Sequence, residues 1–246
     1  MKSNPSDQAA LPDAPVTPAA IGALQQDASF ALSYRLREPP PSTPKACVVL
    51  LHGVGSNETD LADLALAIDP DVLVVLARGR IQFAPGQFGW FGVNFTANGP
   101  LIVAEEAEAS RHALIRFLDQ LQSTYGISPG RTLIAGFSQG GILSASVGLS
   151  APEQVAGFAI LSGRILPELQ PHVASAERLT NLSAFVAHGE LDNKLPVSWA
   201  QRSHQWLNEL GVAHRTRLYP VGHGLSADMR RDFLGWVEER LAAKGG

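Results

Sequence analysis

Gly136-Phe137-Ser138-Gln139-Gly140 is the stretch on which the reading of this chain turns. It joins an apolar strand-like run, Arg131-Thr132-Leu133-Ile134-Ala135-Gly136, to a segment from Gln139 to Leu149 that reads as a helix. A strand that passes directly into a helix holds the junction residue on a tight turn, with its side chain exposed beside a helix N-terminus. A serine there suits a nucleophile, because unpaired amides at the helix start can stabilise negative charge formed at an attacked carbonyl.

On either side of this junction strands and helices alternate. A first strand is predicted at Phe30–Arg37, where Phe30, Leu32, Tyr34 and Leu36 alternate with smaller or polar residues. The run 39–44 (Pro-Pro-Pro-Ser-Thr-Pro) then breaks the chain before an apolar strand at Ala46–Leu51. Asn57 is expected to cap a helix through Ile68, followed by a strand at Val72–Leu76 and a long amphipathic helix at Leu101–Tyr125. Beyond the junction, strands are expected at Val155–Leu161, Ser183–Ala187 and His214–Tyr219. Helices are expected at Pro196–Leu210 and from about Ser226 to Leu241. Strands apolar throughout, such as Val72–Leu76, are those of a mostly parallel central sheet covered by helices on both faces. The fold class is therefore α/β, in one domain over residues 25–246. Residues 1–24, with four prolines among the first twenty, read as a flexible N-terminal tail.

Composition narrows the function. Hydrophobic residues make up 45% of the 246 and charged residues 17%, enough for a large core. A formal net charge of −4 and the lack of basic clusters argue against nucleic-acid binding. The single cysteine, Cys47, lies in an apolar run and reads as a small buried hydrophobe rather than a reactive thiol. No apolar run approaches the ~18 residues that span a bilayer, and the N-terminus carries no apolar leader, so a soluble cytoplasmic protein without stable membrane insertion is expected. Neither an H-E-x-x-H pattern, an Asp-rich loop, paired cysteines nor a G-x-x-x-x-G-K-[ST] loop occurs, so neither a metal nor any other cofactor is expected.

In parallel sheets the reactive groups gather beyond the carboxyl ends of strands. Four such ends carry unusual residues: His52-Gly-Val-Gly55, Gly136–Gly140, His188-Gly-Glu-Leu-Asp192 and Gly222-His-Gly224. They supply Ser138, Asp192 and His223 in the order nucleophile, acid, histidine found in α/β-hydrolases. A serine hydroxyl attacks well only when a base takes its proton. Imidazole suits that role near neutral pH, and a carboxylate fixes its tautomer. Glu190 is the rival to Asp192 but lies closer to the strand end. His52 and His188 open glycine turns and are expected to organise backbone, while His112, His172, His204 and His214 have no partner motif.

Leu50-Leu-His-Gly-Val-Gly-Ser56, Gly136-Phe-Ser-Gln-Gly-Gly141, Leu161-Ser-Gly163, His188-Gly-Glu-Leu-Asp192 and Gly222-His-Gly224 together resemble the phospholipase/carboxylesterase family, which includes small bacterial carboxylesterases and acyl-protein thioesterases. The resemblance runs in order from about Phe30 to Leu241. It implies an α/β-hydrolase fold, Ser138, Asp192 and His223 as a catalytic triad, and an oxyanion hole from the backbone N–H groups of Val54 and Gln139. On this reading the side chains of Val54 and Gln139 matter less than their amides. It is compatible with a homodimer.

The stretch Arg78–Pro100 holds Phe83, Pro85, Phe88, Trp90, Phe91 and Phe95 without regular periodicity, and is read as a loop over an apolar acyl pocket. Phe88, Trp90 and Phe91, with Leu195 beside Asp192, are the expected substrate-binding residues. Where the family often has Trp-Phe-Asp this chain has Trp90-Phe91-Gly92, which resembles the bacterial carboxylesterase branch. The expected activity is hydrolysis of a small-molecule ester with a short to medium acyl chain. An acyl-protein thioesterase or lysophospholipase on the same residues is the alternative, and a non-catalytic binding protein the distant one.

Overall fold

In the computed structural model, residues 19–96 and 99–242 are described, with the backbone alone at 95, 96, 99 and 100. The sheet begins at two antiparallel edge strands, β1 (Ala20–Ile21) and β2 (Tyr34–Glu38). Next come β3 (Ala46–Leu51), the short helix α1 (Ala62–Leu66) and β4 (Val72–Ala77). Two hairpins follow, β5 (Ile81–Ala84) with β6 (Gln87–Gly89) and β7 (Val93–Thr96) with β8 (Gly99–Ile102). Helix α2 (Ala104–Tyr125) leads to β9 (Thr132–Phe137), α3 (Gln139–Ser150) and β10 (Gly157–Leu161). The rest is α4 (Ala176–Leu179), β11 (Ser183–Gly189), α5 (Ser198–Glu209), β12 (Ala213–Tyr219) and α6 (Ala227–Ala242).

The main sheet runs β1-β2-β4-β3-β9-β10-β11-β12, and from β4 onward every neighbouring pair is parallel. β3 is followed by β4 on one side, whereas β9 lies on its other side. Connections therefore diverge between β3 and β9, and a crevice opens beyond the carboxyl ends of those two strands.

Side-chain alternation divides the core. Cys47, Val49 and Leu51 of β3 pack with Leu114, Phe117 and Leu121 of α2 and with α3. Ala46, Val48 and Leu50 face the opposite way, into a cluster with Leu64 of α1 and Met229, Phe233 and Trp236 of α6. Both faces of β3 and β4 are thus sealed, which is why these strands read as unbroken apolar runs. Burial pushes the Cys47 thiol up to about 12, so it remains an inert packing group.

Several elements differ from their sequence-based bounds. Asn57 does not cap a helix reaching Ile68; its Oδ1 accepts from the Thr59 amide at 3.0 Å, and a turn delays α1 to Ala62. Leu101 and Ile102, expected in the long helix, belong to β8, and α2 starts at Ala104. Phe30 and Leu32 precede β2, and the Phe30 ring packs on Tyr34 at 5.1 Å between centroids. The stretch 78–100 is two hairpins rather than an irregular loop, built from strands too short to show a period of two. Of the expected tail, residues 1–18 lie outside the described residues. Ala20–Ile21 pairs with Arg37–Glu38, so the sheet edge starts within the stretch assigned to the tail.

Candidate active site

Ser138 sits between β9 and α3 with φ 52° and ψ −114°, a conformation that non-glycine residues rarely adopt. Such a residue costs ~1–3 kcal/mol and persists only where its surroundings impose it. Here they do. The Ser138 amide donates to the Leu161 carbonyl at 2.8 Å, and its carbonyl accepts from Ile142 at 3.1 Å. A Cβ on Gly140 would lie 2.1 Å from the Leu51 carbonyl oxygen, and one on Gly136 would lie 2.2 Å from the Gly140 carbonyl carbon. Backbone packs on backbone at both positions, so only glycine fits them.

The loops after β11 and β12 bring the other two groups to this turn. A Cβ on Gly189 would lie 2.3 Å from the Val221 carbonyl oxygen, and the Leu191 amide donates to that same carbonyl at 3.0 Å. The two loops are thereby held backbone to backbone. His223 Nε2 lies 2.9 Å from Ser138 Oγ, and His223 Nδ1 lies 2.7 Å from Asp192 Oδ2. The Asp192 side chain is fully buried, and its Oδ1 accepts from the Lys194 and Leu195 amides, each at 2.8 Å. This carboxylate therefore has a fixed orientation before His223 meets it. Glu190, the rival acid, is exposed.

Two further histidines organise backbone. His188, fully buried, donates from Nε2 to the Leu195 carbonyl at 2.7 Å and lies 3.4 Å from Asp192 Oδ2, bracing the loop that carries the acid. His52 Nε2 accepts the Gly79 amide at 2.9 Å, which leaves the ring proton on Nδ1 to donate to the Gly53 carbonyl at 2.7 Å. Burial holds the His52 pKa below its ordinary value, in keeping with a neutral ring. Because the peptide is planar and trans, fixing the Gly53 carbonyl toward His52 turns the Val54 N–H the opposite way. Gly53 also passes close to the serine, since a Cβ there would lie 3.5 Å from Ser138 Cβ. Gln139 is the first residue of α3, where the amide has no partner within the helix.

The loop bearing Val54 is anchored from below. Glu58, 2% exposed, receives Arg35 Nε at 2.7 Å and two bonds from Arg78, at 2.6 and 2.7 Å. Burial opposes ionisation of this carboxyl, but the hydrogen bonds from Arg78 and Arg35 outweigh it and hold the pKa at about 2. Gly55 donates to the Phe88 carbonyl at 2.8 Å and Phe88 to the Ser56 carbonyl at 2.7 Å, tying the same loop to β6.

Ser138, His223, Gln139 and Val54 all line one cavity of about 280 Å³, walled by Phe91, Val93, Ile102, Ile142 and Leu195. Of the residues expected to bind substrate, Phe91 and Leu195 line this cavity. Phe88 and Trp90 do not line this cavity. The Phe88 ring lies under the Arg78 guanidinium at 4.4 Å, and the buried Trp90 indole donates to the His52 carbonyl at 3.0 Å. Phe88 lies in β6 and Trp90 just after it. The Gln139 side chain, expected to be incidental, is a clamp: Oε1 accepts the Trp90 amide at 2.7 Å and Nε2 donates to the Phe91 carbonyl at 2.6 Å. Sequence reasoning also missed Arg164, which lines the cavity just past β10. Its place directly after a strand end was the available signal. Among the described residues, no three His, Cys, Asp or Glu side chains are grouped to hold a metal ion. Nor is any described helix long and apolar enough to cross a membrane.

A hydroxyl, an imidazole and a carboxylate linked in series, beside unpaired amides, can generate an alkoxide-like nucleophile and stabilise an oxyanion. The chain as a whole is similar to known proteins. Acyl-protein thioesterase 1 of Eremothecium gossypii is 25% identical over 213 residues, covering 81% of this chain and 90% of the relative. Esterase PE8 superposes with a TM-score of 0.70 at 26% identity, covering 81% of this chain and 95% of that one. The carboxylesterase of Mesorhizobium loti reaches 0.73 at 23% identity, over 90% and 99% of the two chains. The fold is that of the α/β-hydrolases, and the relatives are hydrolases of the esterase and thioesterase type. The Phospholipase/Carboxylesterase family profile matches residues 38–238, and the chain belongs to that family.

Proposed function

We propose that this protein is a serine carboxylesterase that hydrolyses small esters of short to medium acyl chain through an acyl-enzyme. The hydrogen-bonded series Ser138–His223–Asp192, opening on a cavity, is the observation that carries the reading. Ser138 Oγ attacks the ester carbonyl as His223 Nε2 takes its proton, and Asp192 holds the proton on Nδ1 and steadies the imidazolium. The carbonyl oxygen, now negative, lies against the amides of Gln139 and Val54. Collapse of the tetrahedral intermediate breaks the ester C–O bond, and His223 gives its proton to the departing alcohol. A water, deprotonated in turn by His223, then attacks the acyl-enzyme and returns Ser138 to its free form. The cavity, about 280 Å³, is near the lower end for small-molecule sites and supports a modest acyl group.

Ser138→Ala is expected to lower kcat on p-nitrophenyl butyrate about 10⁴- to 10⁶-fold and to abolish labelling by a fluorophosphonate. Wild-type turnover in that variant would sink the assignment. Thioester hydrolysis is the second reading, favoured by the relatives named acyl-protein thioesterase. A comparison of kcat/KM on matched oxygen and thioesters separates the two.

A further inference from the structure

Arg164 is 5% exposed and lines the cavity that holds Ser138, yet among the described residues its guanidinium makes no hydrogen bond and no ion pair. A buried cation is ordinarily paired, because an unpaired one loses its hydration without replacement. Stacking on Trp199, 4.2 Å from the ring centre, compensates one face of the group. It leaves the N–H edge of the fork without an acceptor. Nε is sealed from solvent and, among the described residues, unpartnered. The charge of Glu168 acts on Arg164, but Glu168 is exposed and, among the described residues, forms no ion pair with it.

The placement of this group is imposed. Ser162 leaves β10 with φ 52°, and a Cβ on Gly163 would lie 2.8 Å from the Ser138 carbonyl oxygen, so the chain crosses directly over the nucleophile turn. Ile165 then donates its amide to Ser203 Oγ at 3.2 Å, which holds the backbone on the far side of Arg164. A second cation, Lys194, stands exposed at the cavity wall, its own amide bound to Asp192. Among the described residues, no acidic side chain lines the cavity. Apolar walls therefore meet a planar donor fork and a second positive charge.

We propose that Arg164, with Lys194 beside it, binds a carboxylate carried on the non-reacting end of the substrate, so that the preferred esters are anionic. This rests on the esterase reading above and names its substrate class. A carboxylate matches the guanidinium fork in two parallel hydrogen bonds, and its aliphatic link would lie along Phe91, Val93 and Ile142.

The test compares esters matched in length and differing in charge: mono-p-nitrophenyl adipate against p-nitrophenyl hexanoate, and 4-carboxyphenyl butyrate against phenyl butyrate. The second pair covers a carboxylate on the alcohol side. Expected is a kcat/KM preference for the anionic member of one pair of about 10- to 100-fold, the size of a charge-assisted hydrogen-bond pair. Arg164→Gln should lower that ratio at least about tenfold. Arg164→Lys should keep part of it and Lys194→Gln should lower it less. Reading a ratio removes general loss of activity from the comparison. Should Arg164→Gln fail to fold, the wild-type ratio and the Lys194→Gln ratio still decide. Equal or better turnover of the neutral member in both pairs overturns the proposal and leaves the esterase reading standing. Calorimetric binding of adipate to the Ser138→Ala protein reads the cation site without turnover. If no ester is turned over, the esterase reading fails, and absence of adipate binding then removes this proposal as well.

Discussion

Gln139→Ala separates the amide of this residue from its side chain. The main-chain N–H at the start of α3 survives the substitution, but the buried Trp90 amide and Phe91 carbonyl lose their partners, held at 2.7 and 2.6 Å. Each stranded buried group costs ~1–3 kcal/mol. Two of them, in a site too tight to admit water freely, amount to about 3–4 kcal/mol, or roughly a 10 °C fall in Tm for a domain of this size. Phe91 walls the cavity, so its backbone also drifts, and kcat/KM on p-nitrophenyl butyrate should fall about ten- to a hundredfold. Gln139→Glu sharpens the test. Its carboxylate can still accept from Trp90 but has no N–H for the Phe91 carbonyl, and so sets two acceptors against each other. The carboxyl introduced there is favoured in its protonated form when folded, which raises its pKa above the unfolded value. Its penalty is therefore smallest below the unfolded pKa and grows as pH rises, so the Tm deficit of Q139E should narrow between about pH 8 and pH 5. Thermal melts at several pH values and steady-state kinetics read both effects. A Gln139→Ala protein melting within about 2 °C of wild type, with unaltered kcat/KM, would refute the clamp.

Glu58→Gln leaves Arg35 and Arg78 facing each other without a counter-charge. The expected loss is about 3 kcal/mol, the low end for breaking a buried pair because both arginine side chains stay 20–26% exposed. The Glu58 pKa, held at about 2, lies below its ordinary 4.5, so its stabilisation is complete above pH 4.5 and lost as pH falls toward 2. Urea melts across that window should converge for wild type and variant; parallel curves would argue against the cluster. Gly140→Ala would place a Cβ 2.1 Å from the Leu51 carbonyl oxygen and should unfold or insolubilise the protein, whereas Gly235→Ala meets nothing within 4 Å in α6. The second change should stabilise by about 0.5–1 kcal/mol in the same urea melts, and equal effects at the two glycines would contradict the backbone packing.

The parts of the molecule legible in the sequence are those whose cause is local. Strands β3, β4 and β9 announce themselves because both faces are covered and every position must be apolar. The serine turn announces itself because its glycines answer to backbone contacts within a few residues or from the adjacent strand. The hairpins of 81–102 were illegible for the opposite reason. Strands of three or four residues carry no usable period, and the segment between the hairpins is tied by Gln139, some 50 residues on. Phe88 and Trp90 were misplaced by the same gap: their bulk was visible, but not that their side chains turn from the cavity to Arg78 and His52.

The same division separates the groups proposed to react from the one proposed to select. Ser138, Asp192 and His223 each stand just past a strand end, where a parallel sheet brings distant loops together whatever the rest of the chain does. Their convergence needs only strand order, which alternation and chain order supply. Arg164 also follows a strand end, yet its meaning depends on what it lacks among the described residues, and a missing partner is invisible in sequence. A charge buried without an acceptor is a cost that folding alone gives no reason to keep. If that cost is recovered anywhere, it is on binding, when a carboxylate enters the cavity and completes the fork.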